Sequence, residues 1–409
     1  MIYSLSSTQR KTSVADIIIE GGRVLLGSDL ADTSLRLAGV QIAEIGHGGR
    51  DAQVRIDATG TLVLPGIVDL HGDAFERQLM PRPGVGFPIE IALLETDRQL
   101  VSNGITTAFH GITCSWEPGL RSAENASALL DAIHTLRPQF AVDTRVHLRH
   151  ETFNLDAESR ILDWLAAGQI DLIAFNDHMS MTALDLTRPE KRTRMAERAG
   201  LSSEAFGQLV ERVATRSDEV AGSIARLAAA SQLAGIPALS HDDATPAMRR
   251  SFRALGARIA EFPINEATAR EAVEAGEFTV FGAPNVVRGG SHTGWSSASD
   301  MISKGLCSIL ASDYYYPAML LAAFRLVSDR ILPLPAAWDL ISRSPAAAAG
   351  LNDRGQLSPG LRADVVLVDP TESLRPRIAA VIAAGKIVYV QDADRISRVP
   401  PAVQRIAAA

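Results

Sequence analysis

Residues 64–73 read Leu64-Pro65-Gly66-Ile67-Val68-Asp69-Leu70-His71-Gly72-Asp73, a short apolar run that ends in a His-X-Asp pair. Such a run, rich in Ile, Val and Leu and entered through Pro-Gly, predicts a strand buried on both faces. Because side chains alternate along a strand, His71 and Asp73 should point the same way, about 6.6 Å apart in backbone rise. In a parallel β/α barrel this end of a strand carries the active site. The pair therefore predicts two metal ligands, although a hydrogen-bonded structural histidine beside a turn-making aspartate fits the same residues.

Strand and helix patterns alternate from residue 66 onward, which is typical of a parallel sheet wrapped by helices. The strands are predicted at residues 66–72, 105–110, 144–150, 170–176, 237–240, 258–262, 278–282 and 308–312. Eight parallel strands are the number that closes a β/α barrel. The predicted class is therefore α/β, with a (β/α)8 TIM-like barrel as the main body.

Both ends of the chain carry short strands of a different kind. Residues 15–45 and 364–390 contain apolar strands separated by glycine and aspartate. They favour one small β-sandwich built from both chain ends, with the barrel inserted between them. The predicted domains are residues 1–65 for the first part of the sandwich, 66–354 for the barrel, and 355–409 for the second part and a C-terminal tail. Residues 391–409 are expected to form a loose tail.

The composition fits a compact globular protein, since 46% of the 409 residues are hydrophobic and 21% are charged. A formal net charge of −7 provides no basic field for nucleic acid or anionic lipid. The two cysteines, Cys114 and Cys307, cannot form a disulfide framework, which favours a cytoplasmic protein with reduced thiols. The first eleven residues lack the apolar core of a signal peptide, and no apolar run reaches the roughly 20 residues of a membrane span. A homo-oligomer is compatible with the sequence.

Two gaps between predicted strands, residues 74–95 and 179–216, are too long for simple connections. Long loops in compact domains are often lids or binding loops. The second gap contains a mixed charge run at residues 188–194, which also fits a solvated helix face. The sequence lacks a Walker-type loop, a complete dinucleotide-binding glycine motif and a Gly-X-Ser-X-Gly elbow, so nucleotide-binding and serine-hydrolase interpretations are excluded.

Further histidines and carboxylates stand at the ends of the predicted strands. Glu151, His178, His241 and Asp313 each end or follow one. Any one of them alone would more often be structural, but five strand ends that all finish on His, Asp or Glu indicate a metal centre. On the strand that ends at Glu151, alternation places His147 and Arg149 on the same face as Glu151.

The first stretch resembles the "PGxIDxHxH" strand of the amidohydrolase superfamily, with Asp73 in place of the second histidine. Other blocks resemble the branch of that superfamily that acts in phosphonate metabolism. These blocks are Met80-Pro81-Arg82-Pro83, residues 240–245 (Ser-His-Asp-Asp-Ala-Thr), residues 282–292 (Gly-Ala-Pro-Asn-Val-Val-Arg-Gly-Gly-Ser-His) and Ser312-Asp313-Tyr314-Tyr315. Residues 344–346, 351–355 and 360–366 resemble the tail shared by many amidohydrolases. The resemblance spans about residues 15–390.

The resemblance implies one or two divalent metal ions, zinc first, with manganese or iron as alternatives. It assigns His71 and Asp73 to a first site, His178 and His241 to a second, and Asp313 as shared ligand and base. Glu151 would take the bridging position, with His147 or His150 as alternatives on the same strand. In the superfamily the ligands that correspond to Glu151, His178 and His241 usually lie on strands four, five and six. The predicted strands place them on strands three, four and five. A further strand between residues 112 and 143 is therefore expected.

A glycine turn, Arg288-Gly289-Gly290, follows the predicted seventh strand. Paired glycines allow backbone N–H groups to face an anion, and arginine offers a bidentate fork for phosphate, although an ordinary turn fits the same residues. Loops after strands seven and eight of such barrels often bind phosphate. His292 is a candidate to position or protonate a leaving phosphate, and Arg82 and Arg149 are further candidates to bind substrate charge.

The branch that the sequence resembles hydrolyses α-D-ribose 1-methylphosphonate 5-triphosphate and releases pyrophosphate. The resemblance therefore implies a phosphorylated sugar as substrate and a metal-dependent diphosphatase activity. One alternative is an amidohydrolase that cleaves C–N bonds, as a cyclic amidase or deaminase, which would use the same metals in a neutral pocket. A second alternative is a catalytically inactive scaffold, against which the full set of ligands argues.

Overall fold

The structure is a computed structural model that describes residues 15–46, 52–82, 84–179, 189–290 and 297–398. His292 of the predicted site and Arg188 of the charge run lie outside these residues. Its strands are β1 Ile17–Glu20, β2 Arg23–Leu26, β3 Asp29–Asp32, β4 Leu35–Ala38, β5 Gln41–Ile45, β6 Val54–Asp57, β7 Leu62–Pro65, β8 Ile67–Gly72, β9 Ile105–Cys114, β10 Asp143–Glu151, β11 Leu172–Asn176, β12 Ala238–His241, β13 Ile259–Glu261, β14 Phe278–Gly282, β15 Ile309–Ala311, β16 Val365–Asp369, β17 Arg377–Ala383, β18 Lys386–Val390 and β19 Ile396–Arg398. Its helices are α1 Glu76–Leu79, α2 Ile89–Ser102, α3 Ala123–Leu136, α4 Glu158–Ala166, α5 Pro189–Ala199, α6 Ser203–Ala214, α7 Ser217–Leu233, α8 Pro246–Ala254, α9 Glu266–Glu274, α10 Ala283–Arg288, α11 Ala298–Ser303, α12 Ala318–Ser328, α13 Leu334–Asp339 and α14 Arg343–Ala348.

Strands β8 to β15 form one eight-stranded sheet whose neighbours follow chain order. All of its paired strands run parallel, and helices lie between successive strands, so the predicted (β/α)8 barrel is confirmed. Each of the eight predicted strands overlaps one of these. The expectation of a further strand between residues 112 and 143 is wrong, because β9 continues to Cys114 and the segment that follows contains turns and the helix α3.

The barrel closes along a seam between its first and last strands. At the C-terminal end, the Asp313 N–H donates to the His71 carbonyl at 2.8 Å, and the Asp73 N–H donates to the Asp313 carbonyl at 2.9 Å. The buried Asp69 carboxylate accepts hydrogen bonds from the Ser312 N–H at 3.0 Å and the Ser312 hydroxyl at 2.5 Å. At the other end, residues 340 and 341 bridge the two strands through their carbonyls, which accept from Leu310 and Val68.

A β-sandwich built from both chain ends flanks the barrel, as predicted. One sheet has the order β19-β6-β1-β4-β5, and the other has the order β18-β17-β16-β7-β2-β3. Apolar side chains from both ends pack between them, including Ile19, Leu37, Val365 and Ile382. The expected loose tail is partly wrong, because Ile396–Arg398 pairs antiparallel with β6.

Both long connections contain helices rather than extended loops. The first, residues 74–95, contains α1 and the start of α2. The second contains α5 and α6, and α5 covers residues 189–194 of the charge run. Within the part of the chain that the structure describes, no helix is both long and apolar enough to cross a membrane.

Gly66 joins the sandwich to the barrel, between β7 and β8. Its N–H donates to the Asp364 carbonyl at 2.9 Å. A Cβ at this position would overlap the Thr106 side chain and lie 2.9 Å from Asp364 Cβ. We expect Gly66→Ala to lower the free energy of unfolding by about 1–3 kcal/mol, the usual cost of overpacking a tight site, as measured by denaturant titration. Gly86→Ala is the control, since the nearest atom to its added Cβ would lie 3.9 Å away. Equal stability of the two variants would contradict the steric argument.

Candidate metal centre

The register of the barrel strands places four polar side chains in one row. Glu151 pairs with Asn176, Asn176 with His241, and His241 with Glu261, across β10, β11, β12 and β13. Partners in adjacent strands share a face of the sheet, so these side chains project to the same side. All four are buried. The row explains why histidines and carboxylates that are far apart in sequence meet.

The closing seam brings together the first predicted ligand group. One atom each of His71, Asp73 and Asp313 lies within 4.8 Å of the others. Asp313 has a positive φ of 54°, which turns its side chain out of the strand direction. The backbone bonds of the seam hold this strained conformation, since an aspartate adopts it only with local support.

Glu261 is a central residue of the site that sequence reasoning missed. Its Oε1 lies 2.9 Å from His71 Nδ1, and its Oε2 lies 3.7 Å from His147 Nε2 and 3.8 Å from His241 Nε2. Its side chain is fully buried. The available signal was a carboxylate near the end of the predicted strand 258–262. In the structure it ends β13 and pairs with His241 of β12.

A second histidine pair shares a carboxylate that was also missed. His178, His241 and Asp242 form another group within 4.8 Å. Asp242 Oδ2 lies 3.1 Å from His241 Nδ1 and 3.5 Å from His178 Nε2. Asp242 has a φ of 58°, so the chain bends as it leaves β12 and brings this side chain back toward its neighbour.

Glu151 lies outside the three groups of possible metal ligands found among the described residues. Its Oε1 instead lies 2.8 Å from His178 Nδ1. In the structure Glu151 is the ion-pair partner of His178. Its bridging role, which the resemblance implied, stays a prediction.

The two histidines of β10 that were alternatives to Glu151 have different surroundings. His147 joins His71 and Glu261 in a third, fully buried group within 4.8 Å, and its Nδ1 lies 2.8 Å from the Leu70 carbonyl. His150 belongs to none of the groups in the described residues and packs edge-on against Phe175, with ring centroids 6.5 Å apart. The difference follows from strand alternation, because residues 147 and 150 point to opposite faces.

Arg149 brings a buried positive charge into the same space. Its Nη1 lies 3.5 Å from Asp73 Oδ2, and its Nη2 lies 3.3 Å from His241 Nε2. A guanidinium is charged at all working pH values. It partly balances the carboxylates of the centre and presents a cation to any anionic group that enters.

Burial and neighbouring charges both shift the pKa values of groups in the centre. Burial, reinforced by the nearby Asp73 charge, raises the pKa of Asp313 to about 7. Burial and the Arg149 charge keep the pKa of His71 well below its usual value, which favours the neutral ring that a metal ligand needs. For His178, burial acts to lower the pKa, but the Glu151 and Asp242 carboxylates outweigh it and raise the pKa to about 9.

The predicted phosphate-binding turn has a different backbone geometry from the one expected. The Gly289 N–H donates to the Val286 carbonyl and the Gly290 N–H to the Asn285 carbonyl, at the end of α10. Gly289 adopts a φ of 79° as the left-handed cap of this helix. The expectation that these N–H groups face an anion is therefore wrong, because the helix end already uses them.

Two candidate arginines lie at the surface near the C-terminal end of the barrel. Arg288 is exposed, and its Nη1 donates to the Tyr314 hydroxyl at 3.2 Å. Arg82 is exposed in the connection after β8, where its backbone bridges Val85. No ion pair is found for either guanidinium in the described ranges.

The donor set fits a divalent cation. His147 Nε2 and both Glu261 oxygens are buried, and they make no hydrogen bond within the described part of the chain. Neutral imidazole nitrogens and carboxylate oxygens are the ligands that zinc, manganese and iron accept. Such converging lone pairs repel one another unless a cation or a proton lies between them.

Comparison with solved structures agrees with this fold. No protein-family model matches the chain. A solved amidohydrolase structure superposes with a TM-score of 0.63 at 16% sequence identity, covering 92% of this chain and 99% of that one. The fold and the histidine–carboxylate centre define a hydrolase of the amidohydrolase superfamily.

A curated relative narrows the assignment. The α-D-ribose 1-methylphosphonate 5-triphosphate diphosphatase of Escherichia coli K12 is 31% identical over 360 residues, covering 86% of this chain and 94% of that protein. The chain belongs to this diphosphatase family, which confirms the resemblance inferred from the sequence blocks. An adenine deaminase of Methylobacterium nodulans is 25% identical over 389 residues, covering 91% of this chain but 58% of that protein.

The two histidines of β10 provide a matched test of the centre. We expect His147→Asn to lower the metal content of protein purified without chelator, because the substitution removes a nitrogen that faces Glu261. His150→Asn should leave the metal content unchanged, because His150 faces away from the groups. Elemental analysis by plasma mass spectrometry measures both variants. A larger loss of metal in His150→Asn than in His147→Asn would contradict this assignment.

Proposed function

We propose that this protein hydrolyses a ribose 5-triphosphate that carries a phosphonate at C1, and that it releases pyrophosphate and a 5-monophosphate. The observation that carries the proposal is the buried guanidinium of Arg149 among the histidines and carboxylates of the centre. A centre with its own internal cation suits a substrate group that is strongly anionic. The family relationship supports the same substrate class.

The residues that would hold metal are those of the three groups. They are His71, Asp73 and Asp313; His71, His147 and Glu261; and His178, His241 and Asp242. Zinc is the proposed metal, with manganese or iron as alternatives, in one or two ions. A divalent ion supplies Lewis-acid polarisation of a phosphoryl oxygen and lowers the pKa of a bound water molecule.

Asp313 is the proposed base. Its pKa of about 7 lies near neutrality, where a general base is most effective. Water adds its oxygen to the α- or the β-phosphorus, the bond from that phosphorus to the oxygen bridging the two breaks, and a proton of the water passes to an Asp313 oxygen. The products are pyrophosphate and the 5-monophosphate. Arg149 would face the phosphoryl oxygens during this step. His292, outside the described residues, stays the candidate that protonates the leaving group.

The protein carries a formal net charge of −7, so its overall charge does not attract an anionic substrate over long distances. A triphosphate is itself strongly anionic near neutral pH, so binding depends on metal ions and on short-range arginine contacts. Arg288, Arg82 and Arg149 are the proposed contacts, whereas the N–H groups of Gly289 and Gly290 are already used by the helix end. A cytoplasmic location and a homo-oligomer remain predictions.

Hydrolysis of a C–N bond is the alternative that the adenine deaminase similarity raises. A purine or cyclic amide is neutral and would not use a buried guanidinium beside the metal ligands. Adenine and dihydrouracil are therefore the substrates to compare with the ribose 5-triphosphate. An inactive scaffold would turn over none of them.

We expect metal-loaded protein to convert the ribose 5-triphosphate to pyrophosphate and a 5-monophosphate, detected by phosphorus NMR, and chelation to abolish this activity. Asp313→Asn should lower kcat by about 10²–10⁴, the usual contribution of a general base. Asp339→Asn is the control, because Asp339 pairs with Arg343 at 2.6 Å on the helical layer. Turnover of adenine or dihydrouracil in place of the triphosphate would reject the proposed substrate.

A further inference from the structure

The Tyr314 side chain contacts two arginines, Arg77 and Arg288, near the candidate metal centre. The Arg77 guanidinium carbon lies 5.9 Å from the centroid of the Tyr314 ring, a cation–π distance. The Arg288 Nη1 donates to the Tyr314 hydroxyl at 3.2 Å. One aromatic side chain therefore holds guanidinium groups from two separate connections, the α1 segment after β8 and the end of α10 after β14.

The position of this cluster is set by the neighbouring ligand. Tyr314 directly follows Asp313, whose positive φ turns the chain at the end of β15. The ring is partly exposed, whereas the next-but-one residue, Tyr316, is buried beneath the seam. Arg77, Tyr314 and Arg288 thus stand just outside the buried ligand groups, on the C-terminal side of the barrel.

The two arginines of this cluster lack a carboxylate partner among the described residues. Neither Arg77 nor Arg288 makes an ion pair within the residues that the structure describes. Other arginines on the same side are neutralised; for example, Arg121 binds Glu76 through two hydrogen bonds of 3.0 and 2.8 Å. Two like charges held on one ring repel each other, and an anion placed between them would remove that repulsion.

We propose that Arg77 and Arg288, positioned by Tyr314, bind the terminal phosphates of the triphosphate, the part that leaves as pyrophosphate. This inference rests on the proposed function for the identity of the substrate. The chemistry itself requires only a polyphosphate, since two guanidinium forks match the oxygens of two adjacent phosphoryl groups. Arg77 and Arg288 are binding residues in this scheme, and Tyr314 is a positioning residue.

The test uses inorganic pyrophosphate as the probe, so that it does not depend on turnover. Isothermal titration of the metal-loaded protein should show pyrophosphate binding, and Arg77→Ala and Arg288→Ala should each weaken it about 10- to 100-fold, as expected for one charge-assisted contact. Arg98→Ala is the control, because Arg98 is an exposed arginine that pairs with Glu95 on α2. The control should bind pyrophosphate as the wild type does.

Two variants of Tyr314 separate positioning from simple loss of structure. Tyr314→Phe keeps the ring that contacts Arg77 but removes the hydroxyl that Arg288 contacts, so it should weaken pyrophosphate binding less than Tyr314→Leu. In the turnover assay, Arg77→Ala and Arg288→Ala should raise KM for the triphosphate and the inhibition constant of pyrophosphate together.

The outcomes are distinguishable from those of the proposed function. Failure of the wild type to bind pyrophosphate, or equal binding by wild type, Arg77→Ala and Arg288→Ala, would overturn the inference. Weakened binding in both arginine variants supports it. If that weakening is found but the ribose 5-triphosphate is not hydrolysed, the polyphosphate site stands and the proposed function fails.

Discussion

The hydrogen bonds that close the barrel between β8 and β15 are the constraint on which the centre depends. The Asp69 carboxylate accepts both the N–H and the hydroxyl of Ser312, and the backbones of His71 and Asp313 are joined directly. Gly72 allows this close approach, because a Cβ there would lie 2.8 Å from Asp69 Oδ2 and 2.9 Å from the Tyr316 ring. Without the seam, residues separated by more than two hundred positions would not meet.

Burial makes this centre electrostatically demanding. Carboxylates and histidines removed from water destabilise the fold unless opposite charges or a cation compensate them. Arg149 provides part of that compensation from inside the barrel, and Glu151 and Asp242 compensate His178 from either side. The same arrangement that balances the protein's own charges creates a place where an anionic phosphoryl group is favoured.

Charges are arranged in two shells along the path out of the barrel. The inner shell combines metal-type ligands with the buried guanidinium of Arg149. The outer cluster, Arg77, Tyr314 and Arg288, carries positive charge without an ion-pair partner in the described residues. A substrate with one reacting phosphoryl group and a polyphosphate tail matches this order, and a neutral base matches neither shell.

The sequence by itself determined the architecture and most of the chemistry. Eight short apolar runs that alternate with helical patterns are enough to predict a β/α barrel, because strands buried on both faces are rich in Val, Ile and Leu. His71, Asp73, His178, His241 and Asp313 were predicted as ligands from their positions at strand ends, and the structure brings them into groups that could hold a metal ion. Only the tertiary structure decided the rest. Strand register places Glu261 in the centre, and a positive φ turns Asp242 toward it. Side-chain alternation directs His147 into the centre and His150 away from it. The end of α10 uses the N–H groups of Gly289 and Gly290 for hydrogen bonds within the helix cap. These side-chain positions depend on the order of the strands in the sheet and on the backbone conformation at the end of each strand. Local amino-acid composition determines neither of them.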